Sequence, residues 1–213
     1  MSAVYARDRR VIRFERDISH EYLRLAQRAQ LLAWDIETSG LDWQTERIGI
    51  CQLCINDGPI AVVKVQEDNR PEGLCQVLAD WRIRKIFHHA MFDLRFMAYH
   101  WRVSPQNVAC TKIAAKLLRC ENGNGSSLQT LLQRFLGISI DKSLQTSNWV
   151  SGCLTSEQIS YAVHEVANLI PLLQALEREL DALGQLDLAH ACFAHIPVRV
   201  KLEIGGYGDV YGY

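Results

Sequence analysis

Residues 31–43 read LLAWDIETSGLDW, an apolar run that ends in Asp35-Ile36-Glu37 and passes at once into the small, turn-prone Thr38-Ser39-Gly40. In a β-strand, residues i and i+2 share a face, so the Asp35 and Glu37 carboxylates project to the same side. Two such charges in apolar surroundings repel each other and are costly to desolvate unless a cation lies between them. Hard carboxylate oxygens suit Mg²⁺ or Mn²⁺. A strand that has simply reached solvent accounts for the same pair, so the stretch needs support from elsewhere in the chain.

Working outward, the Ser39-Gly40 turn leads to RIGICQLCI (47–55), and Asp57-Gly58 leads to PIAVVKV (59–65). Two short connections between β-rich runs predict an antiparallel meander of three strands. Upstream, VIRFERDI reads as a short strand and HEYLRLAQRA (20–29) as a helix. Downstream the pattern changes. EGLCQVLADW (72–81), MFDLRFMAYHW (91–101), TKIAAKLLRC and LQTLLQRFLG have helical spacing, while KIFHH (85–89) and VAC (108–110) read as short strands. ENGNGSS (121–127) reads as a flexible loop. The run from Thr155 to Gly184 is amphipathic, opens with a Thr155–Gln158 variant of a capping box, and is kinked or divided by Pro171. A meander followed by alternating helices and strands predicts an α/β fold with a mixed sheet flanked by helices.

Composition sets the outer limits. The 213 residues are 48% hydrophobic and 22% charged, with neither an internal repeat nor a long linker, which predicts one domain over 1–213. A net charge of −1 argues against a broad basic surface that grips long nucleic acid, and leaves room for a small site that binds a short phosphodiester. The N-terminal MSAVYARDRR is charged and carries no apolar core, and no apolar run approaches the roughly 18 residues of a membrane helix, so a soluble cytoplasmic protein is expected. Seven scattered cysteines predict reduced core thiols. Cys51 and Cys54 form a C-x-x-C on a predicted strand, where their side chains point to opposite faces, and no second pair completes a zinc set.

Two further places carry carboxylates that could meet the first pair. Asp93, in FHHAMFDLRF, follows a short apolar strand near the start of a helix. A helix N-terminal acid favouring the dipole is the plainer account of it. In SYAVHEVANL, Tyr161 and Glu165 are i and i+4 on a helix, hence neighbours on one face; a partly exposed face is again the plainer account. His164 lies about 100° round that helix and cannot reach the same point. Two divalent ions clamping the attacking and leaving oxygens of an in-line phosphodiester displacement need about four carboxylates from separate parts of a fold. The chain offers two from a strand, one before a helix and one on a late helix.

DIETSGL, HHAMFDLRF and YAVHEV resemble the three motifs of the DEDD 3′–5′ exonucleases, in the RNase D-like branch that carries a motif tyrosine. KIFHHAMFDL, CTKIAAKLLR, LGISIDKSLQTSNW and ACFAHIPVRVKL resemble the compact nano-RNase C type, and the likeness runs from about residue 10 to the C-terminus. The resemblance implies a ribonuclease H-like fold, with an exonuclease core at 30–185, a strand and helix within 1–29 before it, and a C-terminal tail (186–213) that contributes to contacts in a homo-oligomer. It implies two divalent ions, Mg²⁺ or Mn²⁺, held by Asp35, Glu37 and Asp93 with Glu165 as the fourth carboxylate, and water activation by Tyr161. The implied substrate is a very short RNA, above all a dinucleotide. By the same resemblance Leu41 is expected to wedge against a base, Thr38 and Gly40 to lie at the sugar, and His88 and Phe92 to complete the pocket.

Two positions depart from the family pattern. Glu165 stands where the family has aspartate, and its extra methylene displaces the oxygens by over an ångström unless backbone or rotamer compensates. Asn148 stands where the family usually has aspartate. Three functions are therefore weighed. The first is an exoribonuclease on short RNA that releases 5′-mononucleotides. The second is an exonuclease on longer single-stranded DNA or RNA, for which Arg95, Lys112, Lys116, Arg119 and Lys142 offer a phosphate path. The third is a degenerate exonuclease fold kept as a nucleic-acid-binding or scaffold protein.

Overall fold

The computed structural model describes residues 9–66, 70–120, 125–140, 144–150 and 152–212. Its strands are β1 (Val11–Glu15), β2 (Leu31–Thr38), β3 (Ile48–Ile55), β4 (Ile60–Lys64), β5 (Arg84–Phe87) and β6 (Val108–Cys110). They form one sheet in the order β1-β4-β3-β2-β5-β6. The expected meander is there: β2, β3 and β4 pair antiparallel. β1, β5 and β6 add parallel edges, β1 on β4, β5 on β2 and β6 on β5. The central strand β3 is buried along its whole length, as a strand covered on both faces must be.

The helices are α1 (His20–Ala29), α2 (Glu72–Ala79), α3 (Ala90–Trp101), α4 (Thr111–Leu117), α5 (Leu128–Leu136), α6 (Ser156–Ala167), α7 (Leu169–Ala182) and α8 (Leu186–Ile204). Three open on side-chain caps written in the sequence: Ser19 accepts from the Tyr22 N–H, Ser127 from Thr130, and Thr155 from Gln158 in a complete capping box. α6 lies over β2, β3 and β4, and α3 packs on α8, which covers β6. Among the described residues no helix is long and apolar enough to cross a membrane. All seven cysteines are free, as expected.

Several boundaries differ from the sequence expectation, each for a local reason. β1 stops at Glu15 because Arg16 takes a positive φ of 72° and returns its N–H to the Lys64 carbonyl at 2.9 Å. β5 stops at Phe87, so His88 and His89 belong to the turn into α3, where His89 sits at φ 67°. The helical run after Thr155 is divided, but the break falls at Asn168 rather than at the proline. Pro171 is the third residue of α7, where its missing N–H has no intrahelical partner to lose. Residues 186–204 form a helix with Pro197 inside it, a stretch for which the sequence reading assigned no element. Of the ENGNGSS loop, residues 121–124 lie outside the described residues, as does Lys142 of the suggested phosphate path.

Candidate active site

The site begins where β2 ends. The ladder between β2 and β3 slips between Glu37 and Thr38, a bulge of the kind that re-aims a strand end. Beyond it, Ser39 and Arg47 exchange hydrogen bonds across the hairpin mouth, Ser39 N to Arg47 O at 2.9 Å and Arg47 N to Ser39 Oγ at 3.0 Å. Thr38 Oγ1 donates to the Gly40 carbonyl at 2.6 Å. The Glu46 side chain lies over Gly40, where a Cβ would come 2.7 Å from Glu46 Cδ and push that flexible side chain aside. The result is a stiff rim that presents Leu41 to solvent at 83% exposure.

β5 runs parallel to β2, so its C-terminal end lies beside the same rim. It delivers His88 and, one turn into α3, Asp93. The Asp93 Oδ1 accepts the Ile36 N–H at 3.2 Å, tying the helix directly to the backbone between Asp35 and Glu37. His88 Nδ1 lies 2.8 Å from the buried Thr111 hydroxyl at the head of α4. From the other side, α6 brings Tyr161 and Glu165. The Tyr161 hydroxyl donates to Glu165 Oε1 at 2.8 Å, the i and i+4 convergence expected from the helix.

Asp35, Glu37 and Glu165 each place one carboxylate oxygen within 4.8 Å of the others. The longer side chain of Glu165 therefore still reaches the cluster. These groups are costly to hold as anions together. Burial, then the charges of Glu165, Asp93 and Glu37, push Asp35 well above the usual carboxylate range. Burial and Glu165 push Glu37 up to about 10, and burial raises Asp93. Burial and the same carboxylates raise the Tyr161 phenol, which stays protonated. Glu37 Oε1 is buried and has no hydrogen-bond donor among the described residues. Converging acceptor-only groups, one with an unpartnered oxygen, fit a divalent cation on Asp35, Glu37 and Glu165, with Asp93 alongside.

These residues floor a cleft of about 730 Å³. Asp35, Glu37, Thr38, Gly40, Leu41, His88, Phe92, Asp93 and Glu165 all line it, and Tyr161 stands behind Glu165. The segment 144–150 forms the opposite wall. It is pinned where Gln158 Nε2 donates to Ser147 Oγ (3.1 Å) and the Asn148 carbonyl (3.2 Å), and where the Trp149 ring meets Tyr161 at 5.7 Å. Gly49 makes this approach possible, since a Cβ there would meet the Trp149 carbonyl oxygen at 2.4 Å. Asn148, the second departure from the family pattern, accepts the Val150 N–H with its side-chain oxygen at 3.2 Å. Arg95 and Lys112 also line the cleft; Lys116 and Arg119 do not. Burial, helped by the charges of Lys112, Arg95 and Lys116, holds His89 below the usual imidazole range. His89 and the wall residues Gln145, Thr146 and Ser147 were not anticipated as site residues. Only QTS, a small polar run before Trp149, hinted at them.

A mixed sheet with acidic side chains gathered at a strand end defines a nuclease-like α/β domain, and comparison with known proteins identifies which. A 3′–5′ exonuclease family profile matches residues 12–181, and the chain belongs to that family. Ribonuclease D of Haemophilus influenzae is 29% identical over 165 residues, covering 75% of this chain and 39% of that protein. DNA polymerase I of Aquifex aeolicus is 30% identical over 191 residues, covering 81% of this chain and 31% of the polymerase. The chain thus spans less than half the length of these relatives. Against solved structures the match is nearly end to end. Brucella melitensis NrnC bound to pGG superposes with a TM-score of 0.88 at 30% identity, covering 97% of this chain and 100% of that one. The same protein with bound Mg²⁺ gives 0.87 at 29%, covering 96% and 99%. Escherichia coli RNase D, at 22% identity and TM-score 0.73, covers 91% of this chain and 51% of its own, and shares the fold. The chain is thus an RNase D-like member of the 3′–5′ exonuclease family, similar along nearly its whole length to Brucella NrnC.

Proposed function

We propose that this exonuclease hydrolyses short RNA, dinucleotides above all, releasing 5′-mononucleotides from the 3′ end. The observation that carries the reading is the convergence of Asp35, Glu37 and Glu165 within 4.8 Å on the floor of a cleft edged by the exposed Leu41. The near-complete match to a protein solved with pGG supports a dinucleotide. A substrate with one internucleotide phosphate also suits a net charge of −1.

In this reading Asp35, Glu37, Asp93 and Glu165 hold two ions, Mg²⁺ or Mn²⁺. Such ions supply neutralisation of the phosphate and an acidified water. The side chains do the rest. Tyr161, donating to Glu165, keeps a lone pair free to accept a hydrogen bond from the attacking water and so orient it. Leu41 abuts the 3′-terminal base, Thr38 and the Gly40 backbone lie at its sugar, and His88 with Phe92 completes the pocket. Water adds at phosphorus, the bond to the preceding 3′-oxygen breaks, and the terminal nucleotide leaves with its 5′-phosphate. A homo-oligomer is part of the proposal, supported by Leu188 and Val198 on α8 and Tyr207 beyond it, all substantially exposed. So is a cytoplasmic location.

Cleavage of a 5′-labelled RNA dinucleotide, an RNA 7-mer and a DNA dinucleotide, in Mg²⁺ and separately in Mn²⁺, tests the reading. The RNA dinucleotide is expected to be cut fastest and only with metal. A faster 7-mer would favour the path past Arg95 and Lys112 on longer strands. No cleavage, together with no metal-dependent rise in melting temperature, would leave the scaffold reading standing.

A further inference from the structure

β3 carries one polar side chain in its buried stretch IGICQLCI. Gln52 is 0% exposed, and it stands directly opposite Asp35 in the β2–β3 ladder, so the two side chains share a face. Gln52 Nε2 donates to Asp35 Oδ2 at 3.1 Å. A carboxylate that takes part as an anion only accepts, which fixes the amide with its nitrogen toward Asp35. The other end of the amide pays no structural role: Gln52 Oε1 is buried and has no hydrogen-bond partner among the described residues. An unpartnered buried carbonyl is destabilising, and an apolar side chain of the same length would pack there at no such cost. For stability alone, the residue is the wrong one.

We propose that Gln52 is a positioning residue for the metal site: its N–H fixes one oxygen of Asp35 and aims the other into the carboxylate cluster. Being neutral, it supports the Asp35 anion without bringing a positive charge that would compete with a cation. Hydrogen-bonded partners behind a metal ligand commonly set affinity by ten- to a hundredfold. The proposal rests on the metal-dependent reading above.

Gln52→Met keeps the length and removes the donor. In Mn²⁺ titrations followed by thermal shift and by the EPR signal of free Mn²⁺, the variant is expected to bind about tenfold or more weakly. Its metal-free melting temperature should equal or exceed that of the unaltered protein. kcat at fixed sub-saturating Mn²⁺ should fall with the dinucleotide KM unchanged, and raising Mn²⁺ should restore most of it. Gln52→Asn, one methylene too short to reach, should match the Met variant; a merely space-filling role would instead make Asn the worse folder and leave Mn²⁺ binding alone. Unchanged Mn²⁺ affinity in a folded Gln52→Met overturns this proposal and spares the metal site. Absence of Mn²⁺ binding in the unaltered protein overturns both.

Discussion

The parallel pair β2 and β5 buries charge at both of its ends, and the two ends do so differently. At the N-terminal end, Lys85 pairs with Leu32 in the ladder and is 0% exposed. Its ammonium donates to the Asp80 carbonyl at 2.7 Å, and the Asp80 charge adds a favourable contribution. At the C-terminal end, Asp35, Glu37 and Glu165 converge, with neutral donors from Gln52 and Tyr161 on two of them, and the negative charges raise the cost of ionising one another. A buried charge that finds its partner within the chain is a finished piece of structure. Like charges brought together in a buried cleft mark the place where a cation would be held.

The sharpest way to break that comparison is to remove one charge from the acidic end. Asp35→Asn should lower cleavage by about a thousandfold or more, the loss expected when a transition state forgoes several kcal/mol of metal stabilisation. The same variant should melt higher than the unaltered protein when metal-free, by about 3 °C for each kcal/mol of repulsion relieved. Activity retained within tenfold, measured on the dinucleotide, would remove Asp35 from the site. A lower metal-free melting temperature would show that the cluster is not under electrostatic strain.

The second prediction concerns pH and has a definite sign. Glu37 titrates near 4.5 when unfolded and at about 10 when folded, so the native state holds its proton more tightly. That contribution to stability is fully present below pH 4.5 and is lost as pH rises toward 10. Chemical denaturation of metal-free protein between pH 5 and 9 should therefore show stability falling with pH, and saturating Mn²⁺ should flatten the slope. An equal slope with and without Mn²⁺ would separate the carboxylates from the metal.

How much of this was legible beforehand follows from the range of each signal. Asp35 and Glu37 could be placed on one face from the period of two, and Tyr161 with Glu165 from the helical i, i+4 spacing. Both are local rules, and both hold in the structure. The meander was legible through its turns, and the site's remaining partners through the family motifs. Long-range facts were not. That β5 lies parallel beside β2, so that Asp93 reaches the Ile36 N–H, depends on a crossover no local pattern encodes. The wall at 144–150 depends on a close approach permitted by Gly49, about a hundred residues away in the chain. Gln52 was visible as a lone amide in an apolar strand. Counting back through the hairpin from Asp35 would have found it, had the bulge after Glu37 been foreseeable.

The smallest expected effect probes the other end of the pair. Burial lowers the Lys85 ammonium to about 7 from its ordinary 10.5, outweighing the help of Asp80. Between those values the unfolded chain binds the extra proton, so the Lys85 contribution to folding stability rises with pH across the window and is lowest below pH 7. Lys85→Met removes the charge, keeps most of the volume, and leaves the Asp80 carbonyl without its donor. The relief of desolvation exceeds the roughly 1 kcal/mol that one hydrogen bond contributes, so the variant should gain about 2 kcal/mol at pH 6 and little at pH 10. Cleavage should not change, because Lys85 does not line the cleft and its ammonium is held at the Asp80 carbonyl. Destabilisation at pH 6 would mean that Asp80 neutralises Lys85 as fully as a metal would neutralise the acidic cluster. The two ends of β2 and β5 would then differ only in where the counter-charge comes from.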